Sequence, residues 1–194
     1  MKRILLALLS CWPLLVSAAP PPTTTEHVRA ELLSETDALV PGEARHWVAL
    51  RLEPDRGWHV YWRNPGDSGF ATSLSWQLPA GLANGEIHWP YPTRESLGEL
   101  TNYGYDDEAL HLVPIAVAAD LAPGTRQTLQ ATAKWLVCKD VCIPGSADLA
   151  LELPVATQAA PINAATFDAA RAKLPAAAPE GWKEIGRASC RERV

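Results

Sequence analysis

Apolar positions recur with period two along most of this chain. Val28, Ala30 and Leu32 alternate with polar neighbours, Pro41-Gly42 marks a turn, and Val48, Leu50 and Leu52 resume the alternation. Trp58, Val60 and Trp62 follow Gly57, and Thr72, Leu74, Trp76 and Leu78 are closed by Pro79-Ala80-Gly81. Ile87 with Trp89, then Val113, Ile115 and Val117, then 128–137 and 147–153 carry the rhythm on. A half-buried strand needs this pattern, because successive side chains point to opposite faces. About eight such runs, parted by Pro, Gly, Asn and Asp, predict an all-β fold: an immunoglobulin-like antiparallel β-sandwich over residues 26–155. The tryptophans alternate with polar positions and read as core fillers rather than as a stacking platform.

The two ends break the pattern. Lys2 and Arg3 precede an apolar run from Ile4 to Val16, and Val16-Ser17-Ala18 supplies small residues for cleavage. Residues 1–18 therefore read as a signal peptide that sends the chain to the periplasm. The run is shorter than the roughly 20 residues of a membrane span, and Cys11 goes with the discarded piece. Residues 19–25 read as a stiff Pro/Thr leader with no core to join. Beyond Pro154 the chain turns rich in Ala and Pro, so 156–185 read as a linker or the start of a following domain, with one weak helical patch from Ala164 to Leu174. Residues 186–194 continue no pattern and read as a truncated or artefactual tail, and Cys190 is given no role.

Charge narrows the partners. With 17 basic against 22 acidic side chains and no basic patch among aromatics, nucleic acid is not expected. The sequence holds no Gly-x-Ser-x-Gly, no His-Glu-x-x-His and no phosphate loop, and Asp106-Asp107 reads as a solvated turn. His27, His46, His59, His88 and His111 are scattered singly, which fits surface or satisfied core histidines better than ligands. No metal or cofactor is expected.

The remaining chemistry is Cys138 and Cys142, in Lys134-Trp-Leu-Val-Cys-Lys-Asp-Val-Cys-Ile-Pro-Gly145. A strand on each side puts both at the tip of a hairpin, within disulfide range. Closing so short a loop limits the unfolded chain by only about 2 kcal/mol, so a structural staple would gain more elsewhere. The pair is easily reached, and Lys139 favours a neighbouring thiolate while Asp140 opposes it. A redox pair is thus favoured over an inert bond. Two soft thiolates also leave room for a Cu(I)-binding module, and a structural docking sandwich remains a third reading.

Four ordered motifs carry a resemblance. Trp58-His-Val-Tyr-Trp-Arg-Asn-Pro-Gly-Asp-Ser-Gly69, Trp89-Pro-Tyr-Pro92, Thr101-Asn-Tyr-Gly-Tyr105 and Trp135–Gly145 resemble the amino-terminal periplasmic domain of the DsbD thiol:disulfide interchange family, and more closely its ScsB-type relatives. The resemblance implies a thiol:disulfide oxidoreductase domain. It would take electrons from a thioredoxin-like partner and pass them to oxidised periplasmic proteins, alongside a membrane-embedded electron-transfer domain in the full-length protein. It also implies an aromatic cap loop over the pair, matched here by Asn102, Tyr103 and Tyr105, with Asn-Tyr-Gly where the family has Phe-Tyr-Gly. Cys142 matches the exchanging thiol and Cys138 its disulfide partner, at a spacing shorter than in DsbD itself. Asp67 and Ser68, after Pro65-Gly66, read as turn formers rather than reacting groups.

Overall fold

The computed structural model describes residues 21–176. The expected signal segment, the tail from 186 onward, Cys11 and Cys190 lie outside them. The chain forms β1 (Thr23–Thr25), β2 (Val28–Ser34), β3 (His46–Pro54), β4 (His59–Gly66), β5 (Ser73–Gln77), β6 (Leu82–Asn84), β7 (Thr93–Leu97), β8 (Leu100–Tyr105), β9 (Ala109–Val117), β10 (Arg126–Cys138), β11 (Cys142–Pro154) and α1 (Ala164–Ala172). One sheet runs β1-β2-β3-β9-β6; the other runs β11-β10-β4-β8-β7, with β5 also paired to β10. The strand pairs are antiparallel, and the fold is the expected immunoglobulin-like sandwich.

The period-two pattern explains the core. Val28, Ala30 and Leu32 from β2 and Leu50 and Leu52 from β3 meet Leu129, Ala131, Ala133, Trp135 and Val137 from β10 between the sheets. Trp58, Trp62 and Trp76 pack against this core while only partly buried, and Trp135 is buried in it, as the alternation predicts.

Four local expectations change. Residues 87–89 form no strand; His88 makes only an isolated bridge to Leu112. Thr23–Thr25, expected as a free leader, adds an edge strand to β2, its register running from Thr23 opposite Ala30 to Thr25 opposite Val28. Residues 102–105, expected as a cap loop, lie in β8 and pair with β7 instead. There the alternation is hard to read because the strands carry charged and small residues.

The fourth change concerns residues 156–185, expected as a linker or the start of a following domain; as far as they are described they fold back, and the expected helical patch is α1. Helix α1 buries Phe167 completely, together with Ala170, against Ala49, Leu110 and Leu112 on the outer face of the first sheet. Its approach is fixed by backbone donation from Ile162 and Asn163 to Glu35 O, by Asn163 Nδ2 to Ser34 O, and by the Arg171–Glu35 ion pair. β3 and β9 thus carry apolar residues on both faces, so a second layer is needed to cover Leu110 and Leu112.

Candidate redox site

β10 and β11 form one long hairpin whose register runs from Arg126 opposite Pro154 to Cys138 opposite Cys142. Lys139, Asp140 and Val141 make the turn, with Lys139 N–H donating to Val141 O. The two cysteines are joined, S–S 2.03 Å, with Cα atoms 4.1 Å apart. The ladder continues through Pro144, opposite Leu136, so the backbone stays in the sheet. β11 is an edge strand, where a missing N–H is tolerated.

Sheet position makes the two sulfurs unequal. β10 is an inner strand, and its last residues Val137 and Cys138 pair with Val60 and His59 of β4. Cys138 is 0% exposed. Cys142 stands on the edge and is exposed. Val137 and Val60 point into the core, so Cys138, His59 and Tyr61 share the outer face of the second sheet.

That face is where sequence reasoning missed two residues. Tyr61 is fully buried, and its hydroxyl lies 3.9 Å from Cys142 Sγ. Burial raises its pKa, and a hydrogen bond with Ser68 offsets part of the rise, so the phenol stays protonated and able to donate. A thiolate formed at Cys142 would accept that donor. His59 sits directly across from Cys138 with its ring edge-on to Tyr61, 5.1 Å between centroids. The signal was available: if Trp58, Val60 and Trp62 point inward, residues 59 and 61 point outward, on the same face as Cys138.

A glycine-rich segment presses on Tyr61. Gly69, at φ +91°, lies so close that an added Cβ would sit 2.3 Å from Tyr61 Cε1. Only glycine suits both the dihedral and the contact. Asp67 and Ser68 fix this segment to β8, as a turn-forming role predicts. Asp67 accepts from Thr101 N–H through its carboxylate, and Asn102 Oδ1 accepts from both Ser68 N–H and Ser68 Oγ–H, at 3.0 and 3.1 Å.

The expected cap residues are therefore placed as follows. Asn102 is buried and anchors the Gly66–Gly69 segment. Tyr103 is half-buried, with its ring edge-on to Trp62. Tyr105 belongs to the core, its hydroxyl donating to Pro90 O at 2.9 Å, which turns it away from the outer face. The aromatic side chain with a polar contact to the disulfide is Tyr61. Among the described residues no cluster of three or more His, Cys, Asp or Glu side chains is arranged to hold a metal.

The stretch that carries the hairpin and most of the sandwich matches a known family. Residues 29–154 match the family described as Thiol:disulfide interchange protein DsbD, N-terminal. This chain belongs to that family. The solved N-terminal periplasmic domain of ScsB from Proteus mirabilis is similar at 23% identity and a TM-score of 0.58, over 81% of this chain and 59% of that one. The chain therefore spans 59% of the length of that structure. The reduced N-terminal domain of DsbD from Neisseria meningitidis is similar at 15% identity and a TM-score of 0.40, over 69% of this chain and 90% of that one. No curated protein matches the chain. A DsbD-type N-terminal domain with its Cys138–Cys142 pair bonded is a thiol–disulfide exchange domain. Helix α1 lies beyond the residues matched by the family.

Proposed function

We propose that this domain works in the periplasm, receiving electrons from a thioredoxin-like domain and passing them to oxidised proteins, with Cys142 as the exchanging sulfur and Cys138 as the resolving one. The observation that carries the reading is the inequality of the two sulfurs: Cys138 is sealed in the sheet, and Cys142 stands on an exposed edge. Exchange requires a thiolate to approach along the S–S axis, and an edge position leaves that line open. Tyr61 is placed to stabilise the Cys142 thiolate once it forms. Val141 in the turn and Phe70 beside Gly69 are exposed apolar side chains, 60% and 74%, next to elements of the site, and a docking partner would cover them. The amino-terminal segment, with Lys2 and Arg3 before its apolar run, supports export. A membrane-embedded electron-transfer domain in a longer chain would complete the relay.

Trapping tests the assignment. Cys138→Ser should accumulate a mixed disulfide with a thioredoxin-like domain that keeps a single active-site cysteine, and Cys142→Ser should trap little. Equal or better trapping by Cys142→Ser would reverse the roles.

A further inference from the structure

His59 is used by nothing described so far. It is a partly buried side chain directly opposite Cys138 in the β4–β10 ladder, so the two Cβ atoms stand about 4.5–5.5 Å apart on one face. Its Nε2 is buried without a hydrogen-bond partner. Such an atom costs free energy unless another state of the protein satisfies it. In the oxidised pair Cys138 has no proton to offer. Once the disulfide opens, it becomes a thiol with an S–H donor, directly across the ladder from a histidine whose Nε2 is unpaired.

We propose that His59 is the base that takes the proton from the Cys138 thiol in the step that releases the partner, an inference that rests on the exchange reading above. In the reduced domain the Cys142 thiolate attacks an oxidised protein's disulfide. A Cys142–partner mixed disulfide forms, and one partner thiolate leaves. Cys138 must then attack Cys142 Sγ as a thiolate, yet its burial favours the neutral thiol. His59 accepts the proton, Cys138 Sγ bonds to Cys142 Sγ, and the partner's second sulfur leaves as a thiolate. Two electrons pass to the partner, and the proton remains on His59 until it exchanges with solvent or the departing thiolate.

The surroundings suit a base. Burial lowers the pKa of His59, while Glu95 on β7 and Asp106 after β8 pull it back up. The imidazole is therefore neutral at neutral pH and ready to accept. Tyr61 packs edge-on against the ring and keeps its own proton, so it does not compete as the base.

The test uses the reduced chain with Cys11 and Cys190 changed to serine, mixed with a chromogenic aryl disulfide. Attack by Cys142 releases one coloured thiolate, and resolution by Cys138 releases a second, so the two steps separate in stopped flow. His59→Gln should leave the first phase unchanged and slow the second at neutral pH by about tenfold or more, within the range of general-base catalysis. In the unsubstituted pair the second phase should rise with pH and level off below about 6.5, the ordinary histidine value. With glutamine it should keep rising toward the ordinary thiol value of about 8.5 or beyond. Added imidazole should speed the second phase of His59→Ala. An unchanged second phase in His59→Gln overturns the proposal, as does a profile with no inflection below about pH 8 in the unsubstituted pair; the latter is decisive even if the variants fail to fold. Absence of any second release would remove the exchange reading itself, together with this one.

Discussion

Replacing His111 by leucine should remove a substantial share of this protein's histidine-linked acid sensitivity. His111 is fully buried, opposite Leu50 in the β3–β9 ladder, with the rings of Trp89 and Tyr105 edge-on at 4.8 and 5.6 Å. Burial lowers its pKa from 6.5 to about 4, and the backbone of Leu50 offsets part of the fall. The fold thus holds the neutral ring, and below pH 6.5 the unfolded chain binds more protons than the folded one. Stability is full above that pH and is lost as the pH falls toward 4. Moving from about pH 8 to about pH 5 costs about 2 kcal/mol for one such group. His46, lowered by burial to about 4 against the pull of Glu35, adds a similar loss. Together they remove about 4 kcal/mol, a large fraction of a typical domain's stability. Urea unfolding of the oxidised protein, followed by tryptophan fluorescence at both pH values, measures the loss. His111→Leu should lose about 2 kcal/mol less than the parent between those pH values, with an unchanged urea dependence. Carboxylates titrate alike in both proteins, so the difference isolates the histidine. A variant that loses as much as its parent would show that His111 is not held neutral by burial.

Two further outcomes follow from the packing. Phe167→Ala should weaken docking of α1 by about 3 kcal/mol, because it empties a fully buried aromatic site, and hydrogen exchange should show faster amides over 164–172 with the β10–β11 hairpin unchanged. Asn102→Ala should cost about 1–3 kcal/mol in urea unfolding, because both Ser68 donors lose their common acceptor.

The alternation of apolar and polar residues determined most of this fold. Each inward residue of β2, β3, β9, β10 and β11 that the period-two pattern selects is a core residue, because a strand has only two faces and only one can be dry. The hairpin and its bonded cysteines were also local matters, since both lie within one turn of chain. The β7–β8 hairpin was not legible. Thr93–Leu97 is held by backbone pairing with Leu100–Tyr105, and its mostly polar residues give no apolar alternation to read. Nor could helix α1 be placed, because a weak apolar stripe binds only where Leu110 and Leu112 present a face to cover.

The site shows the same division. Sequence singled out Cys138 and Cys142, but the sheet position that makes them unequal was not in their own neighbours. Their ranking comes from strand order, which sets Cys138 between two strands and Cys142 beside only one. It likewise could not join Tyr61 to a sulfur 81 residues away, or tie Asn102 to Ser68 across 34. Only the pairing of β4 with both β10 and β8 brings these groups together, because a sheet converts distance along the chain into adjacency between strands.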